Sequence, residues 1–176
     1  TAPMKVPSWE HRPPFLPMIT AGQQPIFAGP VSTLAGLTNS SFDGRKLVYL
    51  PPEAHSQGHA TQPVLAQVTR YRFAAHRLEG EVEAAAPCWV VIAQNYYPNW
   101  RATVDGVPVR LWRANHAFQA LEIPAGRHQV RLVYRDRAFQ WGAAVSLISL
   151  GIMGGAWVRS VRQARKAEAS SAPASR

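Results

Sequence analysis

Few side chains in this sequence are spaced for chemistry, and the carboxylates show why. Glu79, Glu81 and Glu83 alternate with apolar residues in "RLEGEVEA", the spacing of the wet face of a strand. Asp105 and Asp43 each precede a glycine, as turn residues do. A glycosidase-type acid and base need two carboxyls about 5–9 Å apart in a cleft, and nothing in this pattern supplies them. His55 and His59 have the i, i+4 spacing of a helical metal site. Their surroundings, "EAHSQGHATQP", read instead as a mobile loop with Gly58 in it. His128 sits at an expected bend and suits local hydrogen bonding. Serine and histidine occur without a nucleophile-elbow context, so acyl transfer has no support. Cys88 is the only cysteine, which excludes an intrachain disulfide and a cysteine-based zinc cluster. No catalytic, cofactor-binding or metal-binding residue is therefore assigned.

Two aromatic stretches remain. "QNYYPNWRATVDG" (residues 94–106) carries Tyr96, Tyr97 and Trp100; "LWRANHAF" carries Trp112, Arg113, Asn115 and His116. Pro98 presets φ and Asn99 tolerates a left-handed turn, so "YPNW" reads as a tight corner. Its aromatics can cap the open end of a domain, burying roughly 150–250 Å² each. They can also offer flat faces to a sugar or to lipid headgroups; capping is the simpler use. If the two stretches adjoin, they form an aromatic and basic rim able to contact sugars (a glycan) or phosphates. The reading without a ligand has Asn115 and His116 in a turn and Trp112 packed inward, and is preferred.

The elements that must position these residues are mostly strands. "GRKLVYLPP" is a short strand stopped by Pro51 and Pro52. "CWVVIA" (residues 88–93) is apolar on both faces and suits a central strand. "WRATV" and "VPVRL" flank Asp105-Gly106, a hairpin signal, because both residues tolerate the positive φ of a type I′ turn. Pro108 cannot donate to a ladder, which puts the second arm at an edge. "AFQALEI" and "HQVRLVYR" flank "PAG" and read as a second hairpin bending at Gly126. Short strands at this spacing predict an all-β domain, an antiparallel β-sandwich of jelly-roll or immunoglobulin-like kind.

Ala138 to Val158 holds no charged residue across 21 positions. As a helix it spans roughly 30 Å, the hydrocarbon thickness of a bilayer. Trp141 and Trp157 lie near its ends, where indoles favour the headgroup layer. Its aliphatic residues favour insertion by about 2–4 kcal/mol, which suits a single transmembrane helix among neighbours. Gly151 and Gly155 form a G-x-x-x-G pair for close approach of another transmembrane helix. The expected order is a Pro/Gly-rich irregular lead-in (1–37), the sandwich (38–137), the transmembrane helix (138–158) and a basic tail without stable structure (159–176).

The formal net charge of +9 suggests polyanionic partners. Much of it is local: Arg159, Arg162, Arg165, Lys166 and Arg176 face only Glu168 in the tail. The rest is scattered rather than striped, so nucleic acid is not an expected partner; the lipid bilayer is. A short basic flank favours a cytoplasmic C-terminus and an extracytoplasmic β-domain. The opening has neither a secretory signal nor an initiator Met and reads as a piece of something longer.

"WVVIAQNYYPNWRATVDGVPVRLWRANHAFQALEIPAGRHQVRLVYR", followed by the apolar helix, resembles the C-terminal region of the YfhO-like bacterial membrane proteins, relatives of the GT-C glycosyltransferases. The matching residues are Tyr96, Tyr97, Pro98, Trp100, Asp105, Gly106, Asn115, Phe118, Pro124, Gly126, His128, Val130 and Tyr134. The likeness covers about residues 64–158, with "SSFDGRKLVYLP" fitting loosely. Asn99 replaces the family's usual glycine, and the proline common after the final tyrosine is missing. The resemblance implies a polytopic parent in the bacterial cytoplasmic membrane, acting on a polyprenyl-phosphate-linked sugar through acidic residues between early transmembrane helices. This stretch would then be a non-catalytic accessory domain that positions glycan acceptor or donor. The alternative is a membrane-anchored carbohydrate-binding module.

Overall fold

The computed structural model describes residues 16–171, and the chain divides after Arg135 into two units. The first unit is built mainly of antiparallel strands. One sheet has four: β1 (Ile19–Ala21), β6 (Cys88–Ile92), β10 (Phe118–Ile123) and β9 (Trp112–Ala114), in that order. The other has five: β4 (Ala66–Ala74), β5 (Arg77–Ala84), β11 (Gly126–Tyr134), β7 (Trp100–Val104) and β8 (Val107–Val109). Inward-facing Leu78, Val82, Val90, Ile92, Leu121, Ile123, Val130 and Leu132 form one core shared by both sheets. That alternation is what the expected β-sandwich requires.

β6 shows why its sequence is apolar throughout. Cys88, Val90 and Ile92 enter the shared core, while Trp89 and Val91 enter a second core on the other face of the sheet. That second core is closed by a parallel pair, β2 (Gln24–Phe27) with β3 (Leu47–Leu50), and by the short helix α2 (Pro52–Gln57). The Trp89 indole N–H donates to Ala60 O at 2.8 Å, satisfying a polar group that burial would otherwise leave costly. Glu122 Oε1 accepts from the backbone N–H groups of His59 and Ala60, both at 2.6 Å.

Several expectations need correction. Residues 16–37 are not an irregular lead-in: they contain β1, β2 and α1 (Pro30–Leu37). Three- and four-residue strands are too short to show a period; pairing of β1 with β6 and of β2 with β3 decides them. The rest of the expected lead-in lies outside the described residues. The supposed loop after Pro51 holds α2, with Pro52 at its first turn, where the missing N–H costs nothing. The strands flanking "PAG" are not a hairpin. β10 pairs with β6 and β9, whereas β11 pairs with β5 and β7. The chain crosses between sheets there, through Gly126 at φ 117°.

The second unit is α3 (Arg137–Ser171). Asp136 caps it, its Oδ1 accepting from the Phe139 N–H at 3.0 Å. Arg137–Ser160 is long and apolar enough to cross a membrane, with mean hydropathy 1.5 and no buried residue. At 1.5 Å per residue this stretch is roughly 36 Å long. Ser149 and Ser160 return their hydroxyls to the carbonyls of Val145 and Trp157, so neither adds a free donor to the helix surface. The helix does not stop at Val158 as expected. Beyond it the sequence is rich in Ala and Arg, both good helix formers, and contains neither Gly nor Pro before Ser171.

Candidate functional site

The corner and the turn do adjoin, through Tyr96. Its N–H donates to Ala117 O at 2.7 Å, and the Arg113 guanidinium carbon lies 5.4 Å from its ring centroid. Gln119, fully buried on β10, ties the same corner down by donating to Asn95 O at 2.9 Å. Arg113 and His116 also line a small pocket of about 60 Å³ with Pro30, Thr33, Tyr49 and Pro51.

The remaining candidates point elsewhere. Trp100 is buried, its ring edge-on to Tyr134 at 5.5 Å, and Tyr97 lies 6.3 Å from the same tyrosine with its side chain largely exposed. Trp112 is buried in the second core, with the Arg110 guanidinium 4.0 Å from its ring centroid. Asn115 and His116 adopt positive φ (44° and 67°) in the turn joining β9 to β10. Asn115 is held to β3 by two bonds: its Oδ1 accepts from Tyr49 N–H at 2.8 Å, and its N–H donates to Tyr49 O at 2.9 Å. The turn is therefore structural, with Arg113, His116 and the Tyr96 ring left at its surface.

The corner itself closes without a left-handed residue. Trp100 N–H donates to Tyr97 O at 3.1 Å, and Asn99 is not among the described residues with positive φ. Pro98 and Asn99 thus occupy the central positions of a type I-like turn, which explains why glycine is dispensable there. Arg101 Nη1 donates to Pro98 O at 2.6 Å, and Arg135 N–H donates to Asn99 O at 3.0 Å, pinning the corner to the end of β11.

The titratable groups are not arranged for proton transfer. Arg127, 2.7 Å from Glu81, holds that carboxyl below its ordinary range, the opposite of what a general acid needs. Glu79 is ion-paired with Arg77 and lies 3.6 Å from Arg131. Both glutamates line an open groove of about 320 Å³ with Arg70, Tyr71 and Gln129. Burial pushes the Cys88 thiol up to about 11, so it is not a ready nucleophile. His55 stacks edge-on against Phe27 at 4.8 Å, and His59 lies beyond the end of α2, 4.0 Å from Glu122. No three His, Cys, Asp or Glu among the described residues could share a metal ion.

Comparison with known families decides the class. The model of a family described as bacterial membrane protein YfhO matches residues 41–146. The chain belongs to that family. The match takes in the corner, the Asp105-Gly106 turn and the first part of α3, and it begins at the "SFDGRKLVYLP" stretch containing β3. Family and candidate span agree on a membrane protein. No curated protein and no solved structure matches the chain.

Sequence reasoning missed one further feature. A pocket of about 250 Å³ lies beside α1, lined mainly by apolar side chains including Leu16, Met18, Leu37, Phe42 and Phe118. Gln23 is in its wall; its amide donates to Gly44 O at 2.7 Å, while its buried Oε1 has no partner. The available signal was compositional: Pro13 to Phe42 contains no charged residue.

Proposed function

We propose that the β-sandwich is a non-catalytic, extracytoplasmic accessory domain of a YfhO-family membrane protein, positioning a glycan acceptor or lipid-linked sugar donor. The observation that carries this reading is the junction of Tyr96 with Arg113. It sets an aromatic face, a guanidinium and His116 at one surface. Such a surface stacks on sugar rings and pairs with phosphate oxygens without needing a proton donor. The relation to lipid-linked-sugar glycosyltransferases implied by the resemblance supplies the substrate class. The basic run after α3's apolar stretch supports a cytoplasmic C-terminus.

Orientation is tested in intact bacteria with an E83C chain, whose new thiol lies on the exposed side of β5. A membrane-impermeant maleimide added outside should label it before the cells are opened. Labelling that requires opened membranes would overturn the assignment. A carbohydrate-binding module with a simple anchor would bind glycan without any upstream transmembrane helices; the accessory domain would need them for its effect on transfer.

A further inference from the structure

We propose that α1 and the apolar pocket beside it form a lipid-docking surface that takes up the hydrocarbon chain of a membrane phospholipid. On α1, Val31, Leu34 and Leu37 follow one another at i, i+3 spacing and so share a face. Leu37 lines the pocket, while Val31 (84%) and Leu34 (51%) are exposed. Leu16 and Met18, which also line it, are exposed at 48% and 40%. Apolar surface of this kind gathered round a cavity, rather than scattered singly, marks a contact site.

Charge selects the occupant. The chain carries 19 Lys and Arg and 10 Asp and Glu, yet the thirty residues from Pro13 to Phe42 carry none. A partner protein's polar rim or a polyanion would find no counter-charge on α1 or β1; hydrocarbon needs none. The family is a membrane family and the chain bears a candidate span, so lipid is present at high local concentration. The pocket's 250 Å³ is room for about eight groups of water size, suited to the end of one chain rather than a whole lipid. None of the residues lining this pocket is basic, so it should take the chain of zwitterionic lipid as well as anionic lipid.

The test uses the full chain reconstituted in phosphatidylcholine vesicles whose acyl chains carry bromine. An environment-sensitive fluorophore is attached at L34C or, as a control, at E83C. The L34C label should lose emission roughly twofold on bromination, and the E83C label should not change. Iodide added to the water should quench only E83C. An L34C label shielded from iodide but untouched by bromine would mean that protein covers α1, and would overturn the proposal. Quenching by iodide alone would overturn it too. A93W fills the pocket from its wall. In a variant whose circular dichroism is unchanged it should weaken bromine quenching at L34C; undiminished quenching would remove the pocket from the assignment.

Discussion

His128 and Asp105, 23 residues apart, meet at 2.6 Å between Nδ1 and Oδ2. The same carboxylate accepts from the Gln129 N–H at 2.8 Å through Oδ1, and the imidazole's other nitrogen lies 3.1 Å from Ala125 O. One side chain thus locks the type I′ turn between β7 and β8 to the start of β11, where the chain has just crossed between sheets. Both residues belong to the motif that carries the family resemblance, and their role is architectural.

The pair makes stability depend on pH. Its hydrogen bond to Asp105 raises the His128 imidazole above its ordinary 6.5 and holds the Asp105 carboxyl below its ordinary 3.8. The histidine's contribution is therefore full below 6.5 and lost as pH rises through the raised folded value. The aspartate's is full above 3.8 and lost as pH falls through the depressed folded value. Between 3.8 and 6.5 both contribute. D105N should lower the melting temperature most in that window and less on either side of it, and should return the His128 titration seen by NMR toward ordinary values. A stability difference independent of pH would show that the pair is not charged in the folded protein.

Gly22 tests whether the segment before β2 belongs to the fold. It sits at φ 82°, donates to Trp89 O at 3.1 Å and accepts from Val64 N–H at 2.9 Å. An added Cβ would lie 2.1 Å from the Val64 carbonyl oxygen, a backbone atom that cannot swing aside. Gly22→Ala should cost roughly 2–4 kcal/mol in urea unfolding, from left-handed strain plus the clash. A neutral substitution would mean that β1 is not held against β6.

Asn115 separates hydrogen bonding from backbone strain. Asn115→Gly keeps the left-handed turn and loses only the acceptor for Tyr49 N–H, at a cost of about 1–3 kcal/mol. Asn115→Ala loses the acceptor and strains the turn, so it should be the worse of the two. Equal losses would show that backbone strain adds nothing to the lost bond, and no loss in Asn115→Gly would show that the bond to β3 does not hold the turn.

Much of this architecture was legible in the residues, and the parts that were not share a cause. "CWVVI" announced a strand buried on both faces, and Asp105-Gly106 announced the turn, because side-chain period and positive φ are local properties. The crossing at Gly126 was read as a hairpin because a short glycine turn looks the same whether its strands pair or enter facing sheets. β1, β2 and α1 show little period and owe their conformation to what they pack on. The candidate residues were half legible. Exposure separates Tyr96, Tyr97, Arg113 and His116 from Trp100 and Trp112, and sequence alone cannot see which aromatics a fold turns inward.

α3 tests the membrane assignment energetically. Leu150 lies near the middle of its apolar stretch and is exposed. A central arginine costs about 2.5–3.5 kcal/mol on the insertion scale, comparable with everything the aliphatic residues contribute. Leu150→Arg should shift much of the chain into the carbonate-extractable fraction, while Leu150→Val should leave it in the membrane pellet. Retention of both variants would mean that this helix is not what holds the chain in the bilayer.

Exposure also decides which substitutions can report on ligand. Trp100→Ala removes a buried indole that packs on Tyr134, and should unfold the domain by roughly 3–5 kcal/mol, so it says nothing about binding. Half-buried Tyr96 and exposed Arg113 belong to neither core and can be changed without opening one. In the full chain in nanodiscs, Tyr96→Ala and Arg113→Ala should each weaken binding of a polyprenyl-phosphate sugar about tenfold, the loss of one stacking or charge-assisted contact. Their melting temperatures should stay close to that of the parent. Arg113→Lys keeps the charge but loses the planar fork over Tyr96, and should recover only part of the affinity. Full recovery would point to simple charge attraction, and unaltered binding in all three would remove the sugar from this surface.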